Sequence, residues 1–220
     1  MSGAGSFMTV FKKGLLCSIP IMLGYIPVAV TFGISATAVG LNKLEAILSS
    51  LLIFAGASQF AMISLIKHSF ESAIIIPVLL NLRHLIYGCI ISYRYDIKMP
   101  FLTAFGLTDE VFAVSANMSE SEEFIWGLEV GAYVSWFLGT LIGVLGGELL
   151  LVKKDLANSL MFSLTILFFI LLIPGFKDER KLSTLIGGVI ALVFHCLGYT
   201  PLGVMCAGIL TPFLVSKIKG

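Results

Sequence analysis

Arg83 and His84 are the residues best able to do chemistry, because they lie where charge is least favourable. They stand in the middle of the apolar run Ser72–Ser92, whose 21 residues contain no other charged or imidazole side chain. Such a run predicts a helix long enough for the ~30 Å hydrocarbon core of a bilayer. An arginine at the centre of that helix costs about 3 kcal/mol on insertion scales. Arg83 therefore needs a counter-charge, a water-filled cavity or a ligand.

Asp109 and Glu110 are the best candidate partners for Arg83. They lie in Met99–Met118, a moderately apolar stretch that either crosses the membrane or forms a loop. At membrane depth a carboxylate can accept a substrate ammonium or carry a proton, whereas in a loop it is simply solvated. Arg83 itself either clamps a substrate carboxylate with its guanidinium or forms an ion pair that only locks two helices together.

Three uncharged or titratable side chains extend this candidate site. His84 is either a proton carrier, since imidazole ordinarily titrates near neutral pH, or a neutral hydrogen-bonded histidine. Asn81 and Arg83 point about 200° apart around a helix, so the helix is interrupted here or is polar on two sides. Gln59 follows the small residues Ala55–Ser58, and a buried amide needs partners. We expect Gln59 and Asn81 to orient a substrate.

The first apolar segment, near 14–39, contains residues that weaken helices. Gly24 and Pro27 lie inside it, between Pro20 and Gly33. A broken helix frees backbone amides and carbonyls, and the N-terminus of a half-helix favours a carboxylate. Gly24 and Pro27 are therefore predicted to bind substrate, and the broken first helix is predicted to act as the gate.

Composition gives the class of protein. The chain is 58% hydrophobic and 12% charged, with a mean hydropathy of +1.02, whereas soluble domains carry about 25% charged residues. It is therefore predicted to be an integral protein of the lipid bilayer, with one transmembrane domain over 1–220. A net charge of +1 gives no reason to expect nucleic acid. The four cysteines lack metal-ligand spacing, and we expect no metal and no cofactor.

An all-α polytopic fold with seven or eight transmembrane helices follows from the hydropathy pattern. The chain has eight apolar segments, and whether the fourth of them crosses the membrane is ambiguous. The segments are 14–39, 46–66, 72–92, 99–118, 124–147, 156–173, 183–197 and 201–216. Either count places Lys217 and Lys219 in the cytoplasm by the positive-inside rule, whereas the side of the N-terminus depends on the count. The sequence LGYIP at 23–27 returns as LGYTP at 197–201, which indicates a possible inverted repeat.

The ordered motifs together resemble the azaleucine-resistance (AzlC-type) family of branched-chain amino-acid exporters. The resemblance covers roughly residues 14 to 175. The pieces that carry it are the Pro and Gly residues of the first segment, Phe54-Ala55-Gly56-Ala57-Ser58-Gln59, Asn81-Leu82-Arg83-His84-Leu85-Ile86-Tyr87 and Thr108-Asp109-Glu110. One departure is Pro27-Val28-Ala29, where the family commonly has a Phe-Gly pair after the proline.

The resemblance implies export of leucine, valine, isoleucine and similar hydrophobic amino acids across the cytoplasmic (inner) membrane, driven by a proton or ion gradient. It also implies a small AzlD-type membrane subunit as partner. The absence of a GxxxxGK[ST] motif agrees with a secondary transporter.

Other classes remain as alternatives. A non-transporting membrane scaffold or receptor would use the Arg83 ion pair only as a structural lock. An intramembrane enzyme is disfavoured, because the apolar segments contain no HExxH or Ser/His/Asp pattern. A channel is disfavoured because no repeated pore lining is visible in the sequence.

Overall fold

The computed structural model describes residues 3–118, 121–150, 169, 172–176 and 181–219, and these ranges are helical apart from turns and short connections. The helices are α1 (Gly3–Cys17), α2 (Ile19–Ala38), α3 (Lys43–Leu52), α4 (Gly56–Leu65), α5 (Phe70–Asn81), α6 (Arg83–Arg94), α7 (Pro100–Gly106), α8 (Asp109–Ser115), α9 (Glu122–Leu150), α10 (Lys181–Cys196) and α11 (Thr200–Lys219), with a 3-10 turn at Ile173–Phe176. The chain divides into two compact units, Met1–Phe168 and Phe169–Gly220.

Helix α9 is the element against which the first unit is built. Helices α1 and α2 run parallel to it, so that Ser18 meets Gly131 and, further along, Val30 meets Gly143. A Cβ atom at Gly143 would lie 2.1 Å from the carbonyl oxygen of Val30, so only glycine permits this approach. Small residues are what allow membrane helices to pack backbone to backbone.

Three segments of the described residues are long and apolar enough to cross a membrane. They are α2, the combined segment of α5 and α6 (Phe70–Arg94), and α9. The regular hydrogen bonding of the α5–α6 segment is interrupted at Leu82, whose backbone stays helical (φ −56°, ψ −27°), so the polar residues lie at a local irregularity within one 25-residue helix. Its apolar side is exposed on the unit, for example at Ile75 and Leu85, as suits a helix beside lipid.

Helices α7 and α8 form a hairpin whose two ends lie together. Arg94 donates a hydrogen bond to the carbonyl of Ala116, and the hydroxyl of Tyr95 donates to the carbonyl of Ser115 at 2.5 Å. At the same end of the hairpin, the backbone amide of Lys98 donates a hydrogen bond to the carboxylate of Glu122 at 2.9 Å. The segment 99–118 thus returns to the end from which it started, as expected of a re-entrant hairpin rather than of a crossing helix.

Helices α3 and α4 form a second hairpin of the same kind. Glu45 near its start and Lys67 just after its end line one surface pocket. Helix α4 then packs antiparallel to α5, with Ser58 Oγ donating to Asn81 Oδ1 at 2.8 Å. The segment predicted as one span over 46–66 is thus two short helices joined by the extended stretch Ile53–Ala55, the arrangement expected of a re-entrant hairpin.

The two hairpins enter from opposite ends of the unit, because α5 and α6 run from the end of the first hairpin to the start of the second. Irregular backbone at membrane depth is tolerated where protein or a water-filled cavity surrounds it, which is the setting of both hairpin tips. An inverted repeat would produce opposed hairpins of this kind, and the repeat itself stays a prediction. The count of seven or eight spans is not confirmed, because two of the eight apolar segments fold as hairpins and most of 156–173 lies outside the described residues.

The predicted break of the first helix at Gly24 and Pro27 is wrong. Helix α2 continues through Pro27, and the interruption lies earlier, at Ser18, two residues before Pro20. Proline has no N–H to donate to the carbonyl of Leu23, so one helical hydrogen bond is lost, and Thr31 Oγ1 donates to the carbonyl of Pro27 at 3.0 Å. Close packing of α2 on α9 holds the helix together through the proline. The gating role of the first segment stays a prediction.

The second unit contains α10 and α11, which are joined by the turn at Gly198. Gly198 has φ +82°, a left-handed conformation that suits glycine. A Cβ atom at Gly203 would lie 2.5 Å from Cβ of Phe194, so the helices pack closely after the turn. The two copies of the LGY-x-P motif thus differ in structure: 23–27 lies within α2, whereas 197–201 is the connection between α10 and α11.

Candidate functional site

A small cavity lies where the two hairpin tips meet the interruption of α5–α6. It encloses about 90 Å³. Its lining comprises the tip residues of both hairpins, aromatic residues of α2, α4 and α9, and the two residues that start α6: Tyr25, Val28, Phe54, Ala55, Gly56, Ala57, Phe60, Arg83, His84, Thr108, Asp109, Glu110 and Trp136. Apolar surface dominates one side, and charged groups lie on the other.

The cavity lies at half the height of all three long helices. Val28 is near the midpoint of α2, Arg83 is near the midpoint of Phe70–Arg94, and Trp136 is the middle residue of α9. Helices that span a bilayer bring their midpoints to its centre. Asp109, at the tip of its hairpin, therefore reaches the middle of the spanning helices although its segment does not cross.

Arg83 and Asp109 form an ion pair in this cavity. Nη2 of Arg83 lies 2.8 Å from Oδ2 of Asp109, and the two side chains are 19% and 18% exposed. Each residue keeps one buried polar atom without a hydrogen-bond partner, Nε of Arg83 and Oδ1 of Asp109. The site thus offers an unused donor on the cation and an unused acceptor on the anion.

Glu110 does not share Arg83 with Asp109. Its Oε2 accepts a hydrogen bond from the hydroxyl of Tyr25, which also lies 2.9 Å from Thr108 Oγ1. Thr108 in turn caps α8 by accepting from the amide of Val111 at 3.3 Å. Of the two predicted counter-charges, Asp109 faces the arginine and Glu110 ties the second hairpin to α2.

His84 lines the cavity beside Arg83. Its Nδ1 lies 3.1 Å from the carbonyl oxygen of Asn81, across the interruption at Leu82. Its ring packs edge-on against Tyr87, with 5.5 Å between ring centres, and Tyr87 stacks on Phe112 of α8 at 4.2 Å. His84 therefore links the interruption of α5–α6 to the second hairpin as well as facing the cavity.

Gln59 and Asn81 lie away from the cavity, and their polar atoms bind protein groups. Gln59 is fully buried, its Nε2 donates to Ser50 Oγ at 3.0 Å, and its Oε1 accepts from Trp136 Nε1 at 2.8 Å. Asn81 Oδ1 accepts from Ser58. Gly24 and Pro27 are likewise outside the cavity lining, although Tyr25 and Val28 belong to it.

Sequence reasoning did not assign Tyr25, Phe54 and Trp136 to the site. The rings of Trp136 and Tyr25 pack edge to face, with 5.3 Å between their centres. Gly56 at the first hairpin tip leaves room for the indole, since a Cβ atom there would lie 2.6 Å from it. Trp136 is one of two tryptophans and lies mid-helix, which is a usable signal. Tyr25 and Phe54 are ordinary aromatic residues of apolar segments, and nothing in their spacing marks them.

Comparison with known proteins places the chain in a family. The profile described as "AzlC protein" matches residues 20–150, which is more than half of the chain. The chain belongs to the AzlC family. A second profile, "MJ1155 family", matches residues 155–220 of the same chain.

Three relatives illustrate the similarity. An uncharacterized membrane protein of Archaeoglobus fulgidus is 50% identical over 204 residues, covering 93% of each chain. The inner membrane protein YgaZ of Escherichia coli is 33% identical over 222 residues, covering 95% of this chain and 90% of its own. The branched-chain amino acid transport protein AzlC of Bacillus subtilis is 26% identical over 190 residues, covering 82% and 74%. No solved structure matched the chain.

These findings support the family and the class of protein that the sequence predicts. The resemblance to the AzlC family is confirmed. The chain is a multi-pass helical membrane protein, and its family supports a membrane transporter of amino acids.

Proposed function

We propose that this protein is a secondary transporter that exports branched-chain and related hydrophobic amino acids. The substrate would bind in the cavity between the two hairpin tips. The observation that carries the proposal is the pair of unused atoms there: Nε of Arg83 can donate to a carboxylate, and Oδ1 of Asp109 can accept from an ammonium. A zwitterion is the ligand class that uses both.

The apolar wall of the cavity accounts for the preference among zwitterions. This wall is formed by Val28, Phe54, Phe60 and Trp136. Its side chains have one hydrogen-bond donor, Trp136 Nε1, and that donor is already bonded to Gln59. Ligand pockets typically combine such apolar walls with a few polar groups that fix orientation. A valine, leucine or isoleucine side chain fits this chemistry better than a charged one.

Asp109 and Arg83 also provide a way to couple transport to protons. When the carboxyl of Asp109 is ionised it holds the guanidinium at 2.8 Å and can accept the substrate ammonium through Oδ1. Protonation of Asp109 would release Arg83, and His84 beside it is a candidate carrier of the proton. The roles of Glu110 and of Gln59 are then to fix the hairpins that carry the site.

The proposed orientation places both the N-terminus and the second hairpin on the cytoplasmic side. Among the described residues of the first unit, the end where that hairpin enters carries Lys12, Lys13, Arg94 and Lys98, whereas the opposite end carries Lys43 and Lys67. The positive-inside rule favours the richer end as cytoplasmic. Lys217 and Lys219 are proposed to be cytoplasmic as well. A small AzlD-type membrane subunit is the proposed partner.

Transport of radiolabelled valine in inverted membrane vesicles tests the proposal. We expect Arg83→Lys and Asp109→Asn each to lower the initial rate at least tenfold, because a lysine cannot form a bidentate pair and an asparagine neither titrates nor attracts an ammonium. Matched controls are Arg94→Lys and Asp96→Asn, which make the same chemical changes outside the cavity. Wild-type rates in both site variants at normal protein levels would refute the site.

A scaffold or receptor in which the ion pair is purely structural is the second candidate. The 2.8 Å contact between Arg83 and Asp109 favours it, since such a contact can join α6 to α8 without any ligand. The charge swap Arg83→Asp with Asp109→Arg separates the two functions. A lock should survive the swap with normal stability and normal function, whereas a carboxylate clamp should keep the fold and lose transport.

A further inference from the structure

A second cavity, lined by the acidic residue Glu129, lies outside the site described above. It has a volume of about 350 Å³ and lies between α1, α7 and α9. Its other lining residues are apolar or aromatic, with Gly106 among them: Phe11, Leu102, Phe105, Trp126, Val130 and Tyr133. Because Glu129 is only about five residues into the apolar segment 124–147, the sequence by itself predicts that its side chain reaches the membrane interface.

The structure instead buries Glu129. The residue is only 6% exposed, and its Oε1 has no hydrogen-bond partner. Gly106 of the second hairpin makes room for it, because a Cβ atom there would lie 2.5 Å from the carboxyl carbon of Glu129. A buried carboxyl oxygen without a partner is unfavourable unless a ligand, a proton or water satisfies it.

The surroundings of Glu129 favour a cation. No Lys, Arg or His is among the described residues that line the cavity, and Glu122 lies two helical turns away on the same helix. Four aromatic rings form much of the wall, and the faces of such rings attract ammonium groups. A volume of about 350 Å³ lies within the range of small-molecule pockets.

The cavity is separate from the Arg83–Asp109 site. Phe54 of the first hairpin tip contacts Tyr133 at 5.2 Å and Phe105 at 6.5 Å between ring centres, so aromatic rings stand between the two cavities. Leu102, Phe105 and Val130 are 51%, 45% and 44% exposed on the outer surface of the unit. A ligand can thus enter from the membrane side without passing the ion pair.

We propose that the Glu129 cavity binds an organic monocation with an apolar body, such as a protonated hydrophobic amine. The carboxylate of Glu129 pairs with the ammonium through Oε1, and the aromatic wall covers the hydrocarbon part. A free amino acid is excluded from this role, because its own carboxylate would meet Glu129 with no cation to balance it.

Three compounds with the same hydrocarbon body test the proposal on the purified full chain in lipid nanodiscs. They are 3-methylbutylamine, 3-methylbutan-1-ol and 3-methylbutanoate at pH 7. Tryptophan fluorescence is the readout, since the chain has two tryptophans and Trp126 lines this cavity. Trp126→Phe identifies which indole reports, and equilibrium dialysis of labelled amine measures binding independently of either.

We expect saturable binding of the amine, at least tenfold tighter than that of the alcohol, and no binding of the acid. Glu129→Gln should weaken amine binding at least tenfold, whereas Glu123→Gln, the same change on the same helix, should leave it within twofold. Glu129→Asp, which keeps the charge, should retain part of the affinity even if the glutamine variant folds poorly. Leu102→Trp should block binding by filling the cavity.

Two outcomes would overturn the proposal. Equal affinity for the amine and the alcohol would mean that the cavity only accommodates apolar groups, such as a lipid chain. Unchanged amine affinity in folded Glu129→Gln would mean that the carboxyl takes no part. Because valine transport depends on the other cavity, the failure of either proposal leaves the other standing.

Discussion

Replacing Gln59 with leucine tests whether this residue serves the fold or the substrate. The amide joins three elements: it donates to Ser50 of α3 at 3.0 Å and accepts from Trp136 of α9 at 2.8 Å, while belonging to α4 itself. Leucine is similar in size but offers no polar atom, so the buried indole N–H loses its partner. Ser50 keeps a hydrogen bond of 2.8 Å to Thr140 and is less affected.

The expected loss of stability can be worked out from these contacts. Hydrogen bonds between membrane helices contribute about 0.6 kcal/mol on average, and a buried donor without a partner costs about 1–3 kcal/mol. Gln59→Leu should therefore lower the free energy of unfolding by about 2 kcal/mol. Trp136→Phe removes the orphaned donor, so the double variant should be less destabilised than the sum of the single variants by about 1 kcal/mol.

Equilibrium unfolding in mixed micelles with increasing SDS measures both quantities. The KM for valine, measured on the folded fraction, should stay within twofold of wild type in Gln59→Leu, because the amide does not line the cavity. Strict additivity of the two substitutions would refute the proposed hydrogen-bond network. A tenfold rise in KM at normal stability would show instead that Gln59 binds substrate, as the sequence suggested.

Two further predictions concern the packing and the hairpins. Gly143→Val should abolish the monodisperse peak in size-exclusion chromatography, because the first added carbon would lie 2.1 Å from the carbonyl oxygen of Val30; Gly88→Ala, which meets nothing within 4 Å, should not. In a chain without its four native cysteines, single cysteines at positions 43 and 67 should label from one side of the membrane, and those at 96 and 121 from the other. Labelling of 96 and 121 from opposite sides would contradict the re-entrant second hairpin.

The class of protein and its polar centre could be predicted from the sequence. Low charge and long apolar runs are sufficient to identify a helical membrane protein. Arg83 could be matched with Asp109 because a buried arginine requires a counter-charge, and the structure brings the two residues within 2.8 Å. The interruption at Leu82 was one of two arrangements that the opposed directions of Asn81 and Arg83 allow.

The re-entrant hairpins could not be predicted from hydropathy. Residues 43–65 are numerous enough to cross a membrane, and nothing in their composition distinguishes one crossing helix from two half-length helices that return. Tertiary contacts decide the matter, such as those of Arg94 with Ala116 and of Lys98 with Glu122. These contacts are made between residues about 20 positions apart, and no local pattern reports them.

At Pro27 the sequence predicts a break in the helix that the structure does not have. A proline and nearby glycines favour a break when the helix is considered alone, yet α2 continues through them. The reason lies in the neighbouring helix: Gly139 and Gly143 of α9 allow close contact with the backbone of α2, so packing outweighs the lost hydrogen bond. The partners that bury Gln59, Ser50 and Trp136, are likewise distant in sequence, so no local pattern reports them.

Binding of radiolabelled valine to the purified chain is the most direct test of the zwitterion site. We expect saturable binding that leucine and isoleucine displace, whereas valinol, which lacks the carboxylate, and 3-methylbutanoate, which lacks the ammonium, do not. Arg83→Lys and Asp109→Asn should each weaken valine binding at least tenfold, which is about 1.4 kcal/mol. Equal valine affinity in wild type and both folded variants, or full displacement by valinol, would contradict the central claim.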